Sequence, residues 1–230
     1  MIPLCVPKGH AGRLKALGAF WSHEIGGLVV DAVSPAFQEI EVLRDYLPYR
    51  YRPDRHPPYV RPWMVPQPLW GWNLRALLVR NNWDVVRRWA YERSGHRCRI
   101  CGLQGEKHPV EADEGWAYDD NRKVQTLKGV IGLCPRCHEV RHWGRTMATG
   151  REEQGLEWMM TINGWSRSEA ENCAQLALKQ WQERSRWKWT CDVSWVERQF
   201  GFTISAEGPA NAGSAQKTLE QLARRTYSRS

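Results

Sequence analysis

Two Cys-x-x-Cys pairs are the residues in this sequence with the clearest chemistry. Cys98 with Cys101 forms the first pair and Cys134 with Cys137 the second, on either side of residues 102–133. A Cys-x-x-Cys turn places two thiolates along one edge of a tetrahedron, and two such turns complete a four-sulfur zinc site. Four unrelated buried cysteines, or a redox-active pair, are the alternatives. The spacing predicts a structural zinc, because four thiolates leave no open position for a substrate.

Two histidines follow the second cysteine pair. His138 and His142 are four residues apart, so they would share one face of a helix that is expected to begin near Pro135. Two imidazoles in this arrangement can bind a divalent metal ion. Such a pair also occurs by coincidence in helices without metal. Its position directly after a zinc-binding turn strengthens the case for a second metal site and leaves both interpretations open.

The segment between the cysteine pairs reads as a β-hairpin. A strand is predicted at Pro109–Glu114, an acidic turn follows at residues 119–121, and a second apolar stretch covers Val124–Leu133. Alternation along the first strand sends Glu111 and Asp113 to one face and Glu114 to the other, unless a bulge intervenes. The hairpin therefore offers only carboxylates to the histidine pair.

Residues 83–145, about a quarter of the chain, resemble the zinc-stapled HNH endonucleases. The matching residues form three blocks: Tyr91-x-Arg93-x-Gly95-x-Arg97-Cys98-x-x-Cys101-Gly102; Val110-Glu111-x-Asp113-Glu114-x-Trp116-x-Tyr118-Asp119; and Leu133-Cys134-x-x-Cys137-His138-x-x-x-His142-x-Gly144. The resemblance implies a ββα-metal fold, in which a hairpin and a helix grip one divalent ion beside a structural zinc. Members of the family cut DNA phosphodiester bonds with Mg²⁺, Mn²⁺ or Ni²⁺, and their helix histidines match His138 and His142.

The sequence departs from this family at two positions. Close relatives commonly carry a His, as general base or metal ligand, where this chain has Asp113. The central Asn of the family name is expected about nine residues before His138, where this chain has Gly129. Asn121 and Thr126 are nearby but out of register. The metal-binding half of the motif is therefore retained, whereas the half that activates water is altered.

These matches define the candidate site. The candidate catalytic residues are Asp113, Glu114, His138 and His142, and the candidate ligands of a catalytic Mg²⁺ or Mn²⁺ are Asp113, His138 and His142. Glu111 or Glu114 could act as the base. A carboxylate is a weaker base than imidazole at neutral pH. We therefore expect a slow or inactive nuclease, and Asp113→His would be expected to raise cleavage.

The positive charge of the chain is concentrated around these motifs. Residues 61–150 carry 15 Lys and Arg against 9 Asp and Glu, so +6 of the net +8 lies there. Arginine suits phosphate because its planar fork binds two oxygens. The residues expected to contact nucleic acid are Arg97, Arg99, Arg136, Arg141 and Arg145. The expected partner is DNA, and a larger nucleoprotein complex is a further option. No association with a membrane is expected.

The remaining sequence suggests an α+β protein built from several segments. We expect a small N-terminal α+β domain (1–47), a Pro-rich linker (48–80), the HNH-like zinc domain (81–147), a helical C-terminal region (148–203) and a flexible tail (204–230). Cysteine usage and the lack of a secretion signal or apolar span indicate a cytoplasmic protein. The family resemblances imply that it is nucleoid-associated and encoded by a bacterium, phage or plasmid.

Several element boundaries follow from local signals. Strands are predicted at residues 2–6 and 26–30, with helices at Ala11–Leu17 and Ala36–Leu43 and a small core around Trp21. The stretch from Val6 to Trp21 also resembles an accessory domain of plasmid-transfer and phage-type proteins. A helix is predicted from Asn82 to Gly95, and another from the Ser166–Glu169 capping box to Ser185. A short helix that ends at Gly201 and a last one at Leu219–Arg225 are also predicted.

Three functions remain open from the sequence. The first is a metal-dependent DNA endonuclease of the HNH type. The second is a catalytically reduced relative that keeps the fold as a DNA-binding or assembly module, which Asp113 and Gly129 favour. The third is a zinc-stapled interaction protein without a nucleic-acid role, against which the charge of residues 61–150 argues.

Overall fold

A computed structural model describes residues 1–32 and 40–204 of the chain. The fold mixes helices with two small three-stranded sheets, so the prediction of a mixed helix-and-sheet protein is confirmed at this level. The start of the predicted helix at Ala36, the tail and the predicted helix at Leu219–Arg225 lie outside the described residues. Within the described residues, no helix has the length and apolar character needed to cross a bilayer.

The N-terminal sheet is antiparallel with the order β1-β3-β2, formed by β1 (Ile2–Pro3), β2 (Phe20–Ser22) and β3 (Gly27–Val30). Helix α1 (Ala11–Ala16) packs on it, and α2 (Ile40–Leu43) follows. The fully buried Leu4, Leu14 and Val30 form the core. Trp21 is 53% exposed on the edge strand β2. The prediction that the core forms around Trp21 is therefore wrong, because aliphatic side chains fill the space between α1 and the sheet.

The Pro-rich segment lies along the rest of the protein. The backbone N–H of Tyr49 donates to Arg99 O, and that of Trp63 donates to Arg141 O. Val60 is fully buried, and its N–H and C=O are both bonded by the Asn163 side chain. The segment contains 3₁₀ turns at Tyr49–Tyr51 and Gln67–Leu69 and a short helix, α3 (Leu74–Leu77). It forms these turns despite its prolines, because a proline at the start of a turn removes no internal hydrogen bond.

The second sheet contains the hairpin between the cysteine pairs. Helix α4 (Arg80–Arg93) precedes β4 (Glu111–Asp119) and β5 (Val124–Leu133), which pair antiparallel. A register shift after the Gly115–Gly129 pair leaves an extra residue on β5. Strand β6 (Thr190–Asp192) adds to β5 in parallel. This strand was not expected, because a three-residue strand has no readable periodicity.

Helices follow the hairpin directly. They are α5 (Pro135–Arg141), α6 (Trp143–Ala148), α7 (Glu152–Asn163), α8 (Arg167–Ser185) and α9 (Ser194–Phe200). The capping box predicted at the start of α8 is confirmed, with the Ser166 and Glu169 side chains each bonding the other's backbone N–H. The four cysteines of the two pairs share one core with buried residues of α6, α7 and α8. A separate core on the other face of the hairpin joins it to α4 and α9.

Candidate metal centres

The four cysteines of the Cys-x-x-Cys pairs converge on one buried point. Their sulfur atoms all lie within 4.8 Å of one another. The Sγ atoms of Cys101 and Cys134 are 3.7 Å apart, which is close to the edge of about 3.8 Å in a zinc tetrahedron with 2.3 Å Zn–S bonds. All four side chains are buried. The cluster therefore has the composition and geometry of a structural zinc site.

The elements around the cluster set its shape. Cys134 precedes α5, so Cys137 falls within the first turn of that helix. Gly102 adopts φ +81°, and a Cβ there would lie 2.6 Å from Pro3 Cγ, so the turn needs glycine. The Trp158 Nε1–H donates to Cys137 Sγ at 3.2 Å, a contact that favours a thiolate. Hydrogen bonds from the neighbouring thiols lower the pKa of Cys134.

A second cluster lies at the junction of β4 and α5. Asp113 Oδ1 is 3.9 Å from His138 Nε2 and 3.7 Å from His142 Nε2. The ligand atoms of the three residues all lie within 4.8 Å. Two ligands of one ion cannot be separated by more than twice the metal–ligand distance, about 4.2 Å. Both carboxylate-to-imidazole distances satisfy this limit. The three residues could therefore hold one divalent ion, with open positions for further ligands.

Glu111 orients one of these imidazoles. Its Oε2 lies 2.5 Å from His138 Nδ1, so Nδ1 carries the proton and donates a hydrogen bond to the carboxylate. The Nε2 lone pair then faces Asp113 and is free for a metal ion, as in carboxylate–histidine–metal arrangements. The bond to His138 lowers the pKa of Glu111. The sequence indicated Glu111 as a possible base, whereas in the structure its carboxylate is bonded to His138.

His142 lies at a break between two helices. Helix α5 ends at Arg141, and His142 (φ −88°, ψ 49°) connects it to α6. The expectation that one helix carries both histidines is corrected on this point. The Thr146 hydroxyl donates to Glu139 O at 2.6 Å and replaces a backbone bond lost at the break. Desolvation, followed by the adjacent His138, lowers the pKa of His142 to about 4, although 48% of its side chain is exposed.

Asp113 also faces a buried positive charge. Its side chain is 3% exposed, and its Oδ2 lies 2.8 Å from Arg141 Nε. Neither atom has a hydrogen-bond partner among the described residues, so this is a contact of charges without N–H alignment. The Arg141 guanidinium also lies 5.3 Å from the Trp63 ring centroid and donates to Glu114 O. This position fits a metal ligand with a fixed counter-ion better than a base that exchanges protons with water.

Glu114 points away from the histidines. Its carboxylate accepts from the Leu74 backbone N–H at 2.7 Å and from Trp116 Nε1 at 3.1 Å. It therefore anchors the start of α3 on the opposite face of β4. This position follows from the alternation of side chains along a strand and gives no support to the predicted catalytic role of Glu114. Burial raises its pKa to about 7.

The raised pKa of Glu114 predicts a pH-dependent stability. Between its ordinary value of 4.5 and about 7, the folded protein holds a proton that the unfolded chain has lost. This carboxyl therefore makes the free energy of unfolding fall as pH rises through that window. In Glu114→Gln this contribution should be missing, so the variant should gain stability relative to the wild type between pH 5 and pH 8. Urea unfolding at both pH values measures the difference, and equal pH slopes in the two proteins would contradict it.

The arginines predicted to contact nucleic acid have different surroundings. Arg97 is 5% exposed and donates to the backbone oxygens of Ile25, Gly26 and Gly102. It joins the N-terminal sheet to the first zinc turn, so its predicted role in DNA contact is wrong. Arg99 is half-buried and donates to Asp45 O.

Only part of the predicted arginine set faces solvent. Arg136 and Arg145 are exposed on α5 and α6, and Arg141 is engaged with Asp113. The two residues considered as substitutes for the family Asn are remote. Asn121 lies in the turn of the hairpin, and Thr126 pairs with Ala117, four residues along β4 from Asp113. Gly129, at φ +155° beside the register shift, offers no side chain.

Sequence reasoning missed the contacts that support the cluster. The Glu111–His138 bond and the Asp113–Arg141 pair were not expected, although Arg141 lies one helical turn after His138. Comparisons with protein-family models, with curated proteins and with solved structures found no match for this chain. Its function must therefore be argued from the geometry of the two clusters.

Proposed function

We propose that this chain is a metal-dependent DNA endonuclease of the HNH type that hydrolyses phosphodiester bonds slowly. The observation that carries the proposal is the convergence of Asp113, His138 and His142 where a β-hairpin meets a helix. A buried four-cysteine cluster at the start of the same helix accompanies them. A hairpin, a helix, a zinc cluster and an exchangeable ion site in this order are what the resemblance to zinc-stapled ββα-metal nucleases implies.

Each residue of the cluster has a proposed task. Asp113 Oδ1 and the Nε2 atoms of His138 and His142 would hold Mg²⁺ or Mn²⁺. Such an ion supplies positive charge that stabilises the departing oxygen of a phosphodiester. Glu111 keeps His138 in the metal-binding tautomer. Arg136 and Arg145, exposed on the adjoining helices, would position the DNA backbone through its phosphates.

The same geometry argues for a low rate. Asp113 is directed at the histidines and Arg141, Glu111 is bonded to His138, and Glu114 is on the opposite face. None of these three carboxylates is therefore free to take a proton from the attacking water. General-base catalysis is typically worth about 10²–10⁴ in rate. A catalytically reduced DNA-binding or assembly module is the second candidate, and this shortage of a base favours it.

Nicking of supercoiled plasmid with Mg²⁺ or Mn²⁺ tests the proposal. We expect weak metal-dependent nicking by the wild type and a loss of about 100-fold or more in His142→Ala, because one of three ligands is removed. His23→Ala is the matched control, since His23 is exposed in the N-terminal unit away from the cluster. Equal nicking by both variants would exclude this site. DNA binding without any nicking would favour the reduced module.

A further inference from the structure

A groove of about 970 Å³ lies between α8, the Pro-rich segment and the turn end of the β4–β5 hairpin. Trp63 and Tyr118 form one wall, and Leu176 and Trp187 form part of the rim. Its volume is at the upper end of that of small-ligand sites. This space can take a few unstacked nucleotides.

Exposed apolar surface at the rim is available to a ligand. Trp187 is 54% exposed and Leu176 is 67% exposed, although large apolar side chains are usually covered. One contact of the Trp187 ring is with Lys123, whose Nζ lies 4.8 Å from the ring centroid. The lysine covers one face of the indole, so an unpaired base can stack on the face that is open to solvent while its phosphate meets the lysine.

The charges around the groove favour a polyanion. Two of the three acidic residues that line it are paired with arginines: Asp120 is held by two 2.7 Å bonds from Arg184, and Glu183 pairs with Arg186. Glu169 bonds the uncharged Ser166 in the α8 capping box and keeps its negative charge. Among the described residues, no carboxylate lies within ion-pair distance of Arg61, Lys123 or Lys179, which also line the groove. The charge left available to a ligand is therefore positive.

The groove is separated from the candidate divalent-ion site by the side chains of Trp63 and Arg141. Trp63 in its wall lies between the Arg61 guanidinium, at 5.0 Å, and the Arg141 guanidinium, at 5.3 Å from the ring centroid. Arg141 in turn lies 2.8 Å from Asp113. A strand lying in the groove would therefore pass within one or two side chains of the Asp113–His138–His142 cluster.

We infer that this groove binds a single-stranded segment of DNA, with a base stacked on Trp187 and phosphates at Arg61, Lys123 and Lys179. The inference rests on the proposed nuclease function for its choice of ligand. It specifies the substrate further, as DNA that contains unpaired nucleotides next to the cutting site. The stacking contact carries no base-specific hydrogen bonds, so binding should tolerate different sequences.

Fluorescence anisotropy of a labelled strand of twelve thymidines tests the inference, using the full zinc-loaded chain without added Mg²⁺ or Mn²⁺. Trp187→Ala should weaken binding of this strand roughly 5- to 100-fold, the usual effect of losing one base–aromatic stack. Binding of a blunt twelve-base-pair duplex should not change. Trp21→Ala is the matched control, because Trp21 is 53% exposed on the N-terminal sheet, and it should bind both probes like the wild type.

A salt titration provides the second measurement. Lys179→Gln should reduce the slope of log K against log salt for the single strand by about 0.7, the value for one lost phosphate contact, whereas Lys15→Gln in α1 should not. An unchanged affinity in Trp187→Ala, or an equal loss in Trp21→Ala, would overturn the inference. The inference would also be overturned if a proline-rich peptide bound saturably, and if Trp187→Ala abolished this binding while leaving the DNA affinity unchanged.

The outcome is separable from that of the proposed function. His142→Ala should bind the single strand normally, because the groove does not include that imidazole. If plasmid nicking fails while binding depends on Trp187, the nuclease proposal falls and the groove assignment stands. If nicking depends on His142 but binding does not depend on Trp187, the groove assignment alone falls.

Discussion

Replacing Cys134 with Ser is expected to abolish zinc binding and to lower the melting temperature by about 10 °C or more. Structural zinc contributes roughly 10–16 kcal/mol of binding free energy in small zinc domains, and 1 kcal/mol corresponds to about 2–4 °C in a protein of this size. Cys134 shares a buried cluster with the other three thiols. Elemental analysis and differential scanning calorimetry measure the two effects, and one zinc per chain is expected in the wild type.

The structure extends this prediction beyond the zinc domain. The cysteines pack in one core with Trp143, Leu156, Met159 and Ile162. Loss of zinc should therefore expose amide hydrogens to exchange in residues 95–145 and also in α7 and α8. Cys173→Ser, at a half-buried cysteine of α8 outside the cluster, should keep the zinc and melt close to the wild type. A Cys134→Ser protein that retains one zinc and melts normally would contradict the prediction.

Asp113→Asn is expected to weaken Mn²⁺ binding at the second cluster by about tenfold or more. The change removes the one negatively charged ligand while keeping the shape of the side chain. It also leaves Arg141 without its counter-ion. Breaking a buried charge pair in this way lowers the free energy of unfolding by about 3–5 kcal/mol. Titration of Mn²⁺ by electron paramagnetic resonance measures the affinity. Asp45→Asn, at an exposed carboxylate, is the control and should bind Mn²⁺ like the wild type.

The geometry also reverses what the sequence indicated for Asp113→His. An imidazole at this position would stand beside Arg141 and two further imidazoles in place of a carboxylate that is 3% exposed. We therefore expect lower Mn²⁺ affinity and no gain in plasmid nicking. A rise in nicking of about tenfold or more at matched Mn²⁺ concentration would show that position 113 works as the base, as the family resemblance implies.

Local signals in the sequence were sufficient for several features of this protein. The Cys-x-x-Cys spacing predicted the four-cysteine cluster, because each pair is closed by one tight turn. The capping box at Ser166 predicted the start of a helix. The apolar stretch Val124–Leu133 predicted a strand. In each case the residues that determine the structure are close together in the chain. The two-residue period of a strand likewise predicts that Asp113 and Glu114 lie on opposite faces of β4.

Only the tertiary structure decided what the charged residues do. Arg97 and Arg136 look alike in the sequence, yet one is buried against the N-terminal sheet and the other is exposed. Asp113 faces Arg141, which is 28 positions away, and Glu114 caps a helix 40 positions before it. A charged side chain takes its role from the group that compensates its charge on burial. That group comes from a distant part of the chain, so no local pattern in the sequence could specify it.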